Sequence, residues 1–472
     1  MIRLSIVFFC TVSLLAGCAS YTAKPIDPGA QQAALEARRL DSPELRQFFA
    51  RTQGRELSAW PPKAWDFDSL TLAAFYFHPD LDRAQTQRLA AEAATITAGA
   101  RPNPTGGVSI QRNMDAPAGE SPWTNGFTLG IPFETAGKRD IRIEQARQLA
   151  QAARLREADA VWQVRSRVRT SLLASYPTEA LMRSQRDLQE QIERMIERRF
   201  AAGFASQPDL TQARLTLNRA ALALRENQKQ QAENRARLAA AVGVPGTALE
   251  RVEISYDVFD RLPPASSLPS AELRREALLM RPDVLAALAD YEAAQSALQL
   301  EVAKQYPDIS LGPGYTWDAG QVKWSLGLSL VLPLLNRNQG PIAEARARRE
   351  EAAATFLAVQ AKAIAEVDEA LAGYGHAVQM FDTADVLLRD QQKTERAVAA
   401  AFQAGEADRL SWMSARYETT AAELARINAL GQAQQSLGRL EDALRRPLAA
   451  GKAPIAVEQI MSSKQHRPGE QE

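Results

Sequence analysis

The residue types that most often carry catalysis are few in this chain and lie far apart. Its three histidines, His78, His376 and His466, are isolated in the sequence, and the pattern around His78 indicates the start of a helix. The acidic run Glu366–Glu369 lies within a long predicted helix, where carboxylates are more typical of a solvated or lumen-lining face than of an acid–base pair. No HExxH pair, phosphate-binding loop or GxSxG elbow is present. The sequence therefore predicts no enzyme, no cofactor and no metal site.

The two cysteines indicate export and modification rather than redox chemistry. Cys10 lies in the apolar run Leu4–Ala16, which is too short to span a bilayer and is typical of a secretory signal. The run leads into LAGC, which resembles the lipobox of bacterial lipoproteins and implies cleavage before Cys18 and lipidation of that residue. Ala19, where inner-membrane retention signals usually have aspartate, implies the outer membrane. The alternative is an ordinary signal peptide with a chance cysteine.

One segment has the alternation of a lipid-exposed strand. In Lys323–Leu332, Trp324 and four leucines fall on one face of an extended chain, and Lys, Ser and Gly residues fall on the other. This suits a barrel strand of about 9–11 residues with lipid outside and water inside, although a soluble sandwich strand can show the same pattern. Such segments occupy about 105–113, 123–133, 309–317 and 322–335. Trp123, Trp317 and Trp324 lie near their ends, as an aromatic girdle requires.

These segments recur in two halves of the chain. HPDL at His78–Leu81 returns as RPDV at Arg281–Val284, and each is followed by a helical stretch, a proline turn and two alternating segments. Residues 199–214 align without gaps on residues 401–416. The sequence therefore predicts a duplication. The predicted boundaries are 1–17 for the signal peptide, 18–67 for a lipid-anchored arm, 68–243 for the first repeat, 244–270 for a linker, 271–447 for the second repeat and 448–472 for a polar, disordered tail.

Each repeat is predicted to contain a long helix and a returning helix. The segment from Lys138 to Phe200 would be about 90 Å long if it were helical throughout. Tyr176-Pro177 should interrupt it, and Gly373–Gly375 should weaken its counterpart. The returning helices are predicted over about 208–241 and 409–446, and their alanine stripes predict close antiparallel coiled-coil packing. The predicted fold class is mainly α with a small β part.

Four strands are too few to close a membrane barrel. An open edge in lipid leaves backbone groups without hydrogen bonds, and membrane barrels have at least about eight strands. The chain is therefore predicted to oligomerise, and three copies would supply twelve strands. The 56 basic residues balance the 56 acidic ones, so the composition predicts no nucleic-acid partner.

The order of these elements resembles the TolC-like outer-membrane efflux family over about residues 65–447, and IPFETAGKR at Ile131–Arg139 is similar to its CzcC-like heavy-metal branch. The resemblance implies a homotrimer in the bacterial outer membrane, with a 12-stranded barrel and a periplasmic tunnel of twelve helices. It implies a passive export duct for heavy-metal cations, with a periplasmic adaptor protein and an inner-membrane proton-driven pump as partners. The rival interpretation is a lipid-anchored periplasmic coiled-coil spacer without a pore.

The resemblance also places the periplasmic entrance and the adaptor contact at the two helical turns. The residues implied are Gly203, Pro208, Asp209, Gly405, Asp408 and Leu410. Glycine at a helix end and aspartate at a helix start also suit a tight coiled-coil turn with no further role. The aspartate gating ring of the family falls on Ser411 and Ser414, so it is not carried over, and Asp408 and Asp209 are the candidates to replace it.

Overall fold

The computed structural model describes residues 21–54, 59–117, 119–250, 252–263, 271–448 and 457–464. The predicted signal peptide and Cys18 lie outside these residues. Helices α1 to α7 are Pro28–Glu36, Pro43–Gln53, Phe67–Phe77, Pro79–Gly99, Lys138–Ala174, Glu179–Ala201 and Gln207–Val242. Helices α8 to α12 are Ala271–Leu279, Pro282–Ala303, Gln339–Gln403, Arg409–Leu444 and Val457–Lys464. Strands β1 to β4 are Thr105–Arg112, Trp123–Phe133, Ile309–Asp318 and Gln321–Leu330.

The same order of elements occurs twice. Two helices, two strands, a long helical segment and a returning helix make up each half, with α3, α4, β1, β2, α5 to α7 in the first and α8, α9, β3, β4, α10, α11 in the second. Pro79 and Pro282 are the first residues of equivalent helices in the two halves. Proline is favoured there because the first helical residue has no partner within the helix for its N–H group. The returning helices α7 and α11 pack along α6 and α10 as antiparallel hairpins.

The two long helical segments differ in continuity. The first is interrupted between Ala174 and Glu179, where Pro177 lies, as the sequence predicts. The second continues over 65 residues through Gly373 and Gly375. Tyr374 between these glycines is buried with Val367 and Leu440, and this packing offsets the low helix propensity of glycine. No helix in the described part of the chain combines the length and the apolar character of a membrane span.

The four strands form one antiparallel sheet in the order β1-β2-β3-β4. The row Val108, Phe127, Tyr315 and Trp324 runs straight across it. The sheet thus joins the two repeats edge to edge, because β2 of the first pairs with β3 of the second.

The largest apolar core lies in the helical body, where the N-terminal arm packs on α3, α5 and α7. The predicted disordered tail differs from the structure over Val457–Lys464, which form α12. Ile460 and Met461 of this helix are buried in the core, and Lys464 Nζ lies 2.7 Å from Asp82 Oδ1. Two apolar side chains in a polar stretch were too weak a sequence signal to predict this packing.

Candidate transport site

The register gathers the large apolar side chains of the sheet on one face, called here the apolar face. Directly paired residues on neighbouring strands point to the same side, and the side alternates along each strand. On β1 this face presents Val108 and Ile110, and on β4 it presents Trp324, Leu326 and Leu328, all between 64% and 79% exposed. No described part of the chain covers these residues. An exposed apolar surface of this kind suits contact with lipid rather than with water.

The opposite face, called here the polar face, carries hydroxyl groups and glycines. A Cβ atom on Gly126 would lie 2.4 Å from Ser109 Oγ, and one on Gly314 would lie 2.6 Å from Ser325 Oγ. The hydroxyl groups therefore occupy the space beside the glycines of the next strand. The face is polar, and its side chains extend only a short distance from the sheet. A barrel closed with this face inward would have a water-compatible lumen with few bulky side chains.

Both edges of the sheet lack a partner strand within the described chain, because β1 and β4 are the ends of the strand order. In lipid, each backbone group without a hydrogen bond costs several kcal/mol. The sheet is therefore incomplete as a membrane structure until strands from other subunits pair with its edges.

The three predicted girdle residues lie on the apolar face, toward the end of the sheet where the β1–β2 and β3–β4 connections lie. Trp123 begins β2, Trp317 is next to the last residue of β3, and Trp324 is near the start of β4. The Trp324 ring contacts Tyr315 edge-on at 5.1 Å, and the Arg112 guanidinium lies 5.6 Å from the Trp123 ring centre. In the register of the sheet they lie on successive rows of this face, because Trp317 pairs with Asn125 and Trp324 lies on the row of Phe127. Their role as a girdle stays a prediction.

IPFETAGKR forms the junction between the sheet and α5. Ala136 and Gly137 have positive φ angles of 55° and 67°, which turn the chain sharply from β2 into the helix. Lys138 Nζ donates to the carbonyl oxygen of Tyr306 at 2.6 Å and to Asp308 Oδ1 at 2.7 Å. These bonds connect the first repeat to the start of β3 in the second. The motif therefore has a structural role, which the sequence pattern did not reveal.

Further hydrogen bonds surround the junction. Arg139 Nε donates to the carbonyl oxygen of Gly99 at 2.7 Å, and Arg142 pairs with Glu134. The Arg142 guanidinium holds the pKa of the Glu134 carboxyl below its ordinary value by hydrogen bonding. In the second repeat, Asn338 takes the position of Gly137 at the helix start with φ of 62°, and its side chain donates to the carbonyl oxygen of Glu301 at 2.7 Å.

Replacing Lys138 by methionine should destabilise this junction by about 1–3 kcal/mol, because the charged lysine would no longer donate to the Tyr306 carbonyl oxygen and to the half-exposed Asp308 carboxylate. The Lys138 side chain is only 7% exposed. Lys362→Met is the matched control, since Lys362 lies 3.8 Å from Glu366 on the surface and is 76% exposed. Thermal unfolding in detergent should show a lower midpoint for Lys138→Met only. Equal midpoints would contradict the role given to Lys138.

The two tip turns, residues 202–206 and 404–408, join α6 to α7 and α10 to α11. Gly203 and Gly405 both have φ of 80°, a conformation that glycine adopts without strain. Ser206 and Asp209 form a capping box at the start of α7, and Asp408 caps α11 by accepting from the Ser411 N–H at 2.8 Å. The predicted glycine ends and aspartate starts are thus present.

The two tips contact each other through residues that the sequence did not single out. Arg199 Nη1 lies 3.3 Å from Asp408 Oδ2, so the first hairpin forms an ion pair with the second, called here the tip ion pair. Leu410 is half-buried against a cluster containing Leu188, Ile192 and Met413, rather than open to a partner. The sequence contains one signal for this contact. Arg199 aligns with Ala401, so a basic residue is present at this position in only one of the two repeats.

The remaining predicted tip residues are open to solvent. Gly203, Pro208, Asp209, Gly405 and Asp408 are all exposed. Phe204, beside the first glycine, is 81% exposed and was not predicted. Ser411 Oγ donates to Asp408 Oδ1 at 2.6 Å and is occupied in the cap, whereas Ser414 is exposed further along α11.

Comparison with known proteins decides the family. The sequence profile described as outer membrane efflux protein matches residues 76–244 and 273–444, which together cover most of the chain. The chain belongs to the outer membrane efflux protein family. The predicted family is therefore confirmed, and the fold predicted for this efflux protein, mainly helical with four antiparallel strands, is the one observed.

Two curated relatives are similar to the efflux protein at a moderate level. Cobalt-zinc-cadmium resistance protein CzcC of Cupriavidus metallidurans is 26% identical over 332 residues, which cover 68% of this chain and 77% of CzcC. Pyoverdine export outer membrane protein OpmQ of Pseudomonas aeruginosa is 27% identical over 409 residues, which cover 79% of this chain and 81% of OpmQ.

Solved structures have the same fold as the efflux protein. The Campylobacter jejuni CmeC outer membrane channel superposes with a TM-score of 0.67 at 17% identity, covering 95% of this chain and 98% of that one. The Vibrio cholerae outer membrane protein VceC gives 0.64 at 19% identity, covering 81% and 97%. The efflux protein thus belongs to the outer membrane efflux protein family and shares the fold of these two solved proteins.

A buried polar cluster joins the two repeats of the efflux protein inside the helical body. Arg169 of α5 donates to the backbone carbonyl of Gln434 at 3.3 Å and to its Oε1 at 3.1 Å, and Arg169 and Arg165 both approach Glu441. Gln434 Nε2 donates to the carbonyl oxygen of Phe259 at 3.0 Å. Burial lowers the pKa of the Arg169 guanidinium. The cluster therefore fixes α5, α11 and the segment between the repeats relative to one another.

Proposed function

We propose that three copies of the chain close a 12-stranded barrel in the outer membrane and form a passive export duct. The observation that carries this proposal is the sheet, which has an exposed apolar face, a polar face and two unpaired edges. Pairing β4 of one subunit with β1 of the next satisfies the edges, turns the apolar face to lipid and encloses the polar face. Twelve strands lie within the known range for such barrels.

The helices continue the duct away from the membrane. The 65 residues of α10 span about 100 Å at 1.5 Å per residue. Such a length suits a tunnel through the periplasm, with the sheet at one end and the tip turns at the other. Lipidation at Cys18 would add an anchor in the membrane, ahead of the part of the arm that packs on the helical body from Leu40 onward.

The tip turns are the proposed contact for a periplasmic adaptor that leads to an inner-membrane proton-driven pump. Gly203, Pro208, Asp209, Gly405 and Asp408 are exposed there, and Phe204 adds an exposed aromatic ring. Leu410 contributes by supporting the turn from within rather than by direct contact. An exposed aromatic next to a rigid turn is typical of a protein contact surface.

Planar-bilayer recording tests the pore directly. Purified protein should give discrete single-channel currents, since a closed barrel conducts ions. A lipid-anchored spacer, the rival interpretation, gives none. Absence of currents from protein that runs as a folded oligomer would rule out the duct and leave the spacer.

The proposed cargo is heavy-metal cations. The similarity to CzcC, whose name records cobalt, zinc and cadmium resistance, supports this class. The described residues contain no group of three or more His, Cys, Asp and Glu side chains that could hold a metal ion. The proposed duct would therefore pass the cations rather than bind them, and selection would belong to the pump.

Deletion of the gene should increase sensitivity to zinc, cobalt or cadmium by several-fold in minimum inhibitory concentration, with antibiotics and siderophore secretion measured in parallel. Restoring the gene should restore growth. Unchanged growth on every metal would contradict the metal cargo while leaving the duct intact, and lost siderophore secretion would favour the activity in OpmQ's name.

Replacing Asp408 by asparagine should raise the conductance of the closed channel. Asparagine still caps the helix, but it loses the charge attraction to Arg199 that holds the two tips together. Asp209→Asn is the matched control, since Asp209 bonds to Ser206 at the other tip and forms no ion pair with any residue that the structure describes. Single-channel conductance should increase for Asp408→Asn and stay at the wild-type value for Asp209→Asn. Equal conductance of all three proteins would contradict a gating role for the tip ion pair.

The tip ion pair should not respond to pH between about 5 and 8. Hydrogen bonds from Ser411 lower the pKa of Asp408 below its ordinary value. For a lowered carboxyl pKa, the stabilisation is present above the unfolded pKa, about 4, and is lost as pH falls through the lower folded value. Conductance recorded from pH 8 to pH 3 should therefore rise only at the acidic end. A rise near pH 6 would indicate another titrating group.

A further inference from the structure

Charge on the polar face of the sheet is confined to one place. The charged residues within the four strands are Arg112, Asp318 and Lys323. The register puts Arg112 on the apolar face beside Trp123, and puts Asp318 and Lys323 on the polar face. Both lie at the end of the sheet that carries the β3–β4 connection, and the rest of the polar face is formed by uncharged residues, mostly serine, threonine and glycine.

Asp318 and Lys323 neutralise each other. Lys323 Nζ lies 2.7 Å from Asp318 Oδ2, and Thr124 Oγ1 of β2 donates to Asp318 Oδ1 at 2.7 Å. The two-residue turn Ala319-Gly320, with both φ angles positive, fixes the facing positions of the two strands. Such an exposed pair contributes little to stability, so its main consequence is electrostatic.

We propose that the Asp318–Lys323 pair keeps the strand section of the duct free of a ring of unpaired charge, so that this section does not select cargo by the sign of its charge. This inference rests on the proposed trimer, in which one pair from each subunit surrounds the pore. Asp115 and Glu120 lie in the β1–β2 connection, beyond the strand ends. They are the same in wild type and in all the variants, so they do not contribute to a difference between them. Loss of one partner would leave one unpaired charge per subunit facing the pore.

Reversal potentials in a KCl gradient test the inference. Relative to wild type, Lys323→Gln should shift the preference toward potassium, and Asp318→Asn should shift it toward chloride, each by roughly twofold in permeability ratio because a ring of like charge concentrates its counter-ion. The double variant and the exchanged pair, Asp318→Lys with Lys323→Asp, should match wild type. The shifts should shrink near 1 M salt, where the Debye length is about 3 Å.

Each outcome has a separate meaning. Channels whose reversal potentials do not move in either single variant would overturn the inference while the duct stands. A double variant that keeps the shift of one single variant would also overturn it, because the charges would then act without pairing. If one single variant fails to assemble, the exchanged pair and the other single variant still decide. Absence of channels in wild type would instead reject the proposed function.

Discussion

Leu326→Arg should abolish assembly of the membrane-inserted protein, whereas Ser325→Arg should be tolerated. Leu326 lies near the middle of β4 on the apolar face and is 75% exposed. Arginine on the lipid face at the bilayer midplane costs about 2–4 kcal/mol, and a trimer would carry that cost in every subunit. Ser325 is the adjacent residue on the polar face, where the proposed lumen keeps an arginine hydrated.

The measurement is the amount of heat-modifiable oligomer in the outer-membrane fraction, compared at equal expression. Leu326→Arg should leave little or none of it, and Ser325→Arg should stay within about twofold of wild type. The reverse order, or equal loss for both, would mean that the apolar face does not contact lipid.

Arg169→Met should lower the stability of the helical body by about 3 kcal/mol, because removing one partner of a buried ion pair leaves an uncompensated charge. The Arg169 residue is 8% exposed, and the Glu441 side chain is 4% exposed. Arg165 remains 3.3 Å from Glu441, which keeps the loss from being larger. Thermal unfolding followed by far-ultraviolet circular dichroism should show the lower midpoint.

Two glycines of α11 provide a matched test of the same cluster. A Cβ on Gly438 would lie 2.6 Å from Arg169 Nη1, whereas a Cβ on Gly431 would meet nothing within 4 Å. Gly438→Ala should therefore displace Arg169 and destabilise the protein. Gly431→Ala should be neutral or stabilising by up to about 1 kcal/mol, because alanine is the better helix former. Equal effects of the two alanines would contradict the close contact of Arg169 with α11.

The strand ends could be predicted from the sequence to within five residues, because a sheet with lipid on one side and water on the other must alternate along every strand. For β2, the prediction of 123–133 equals the observed Trp123–Phe133. The interruption near Pro177 was equally predictable, since proline removes a helical hydrogen bond. The weakening predicted at Gly373 and Gly375 is not observed, because the packing of Tyr374 in the folded chain outweighs the low helix propensity of the two glycines.

What local patterns could not provide were contacts between distant segments. Arg199 and Asp408 are 209 positions apart, and Arg169 and Gln434 are 265 positions apart. No sequence periodicity connects residues at such separations. The sequence alone therefore predicts that a charged residue in a helix is exposed to solvent, even where the fold gives it a distant partner. For the same reason, the structural role of Lys138 became visible only when Tyr306 and Asp308 lay beside it.

Disulfide crosslinking of the sheet edges tests trimer closure most directly. Ser109→Cys on β1 would be combined in turn with Lys323→Cys, Ser325→Cys or Gly327→Cys on β4. Within one chain these edges are separated by about 14 Å, three strand spacings, which is too far for a disulfide. We predict that at least one combination gives a covalent ladder ending at three subunits, and that no single-cysteine protein does. Monomers alone in every combination, or a ladder that continues past three, would contradict the closed barrel of three chains.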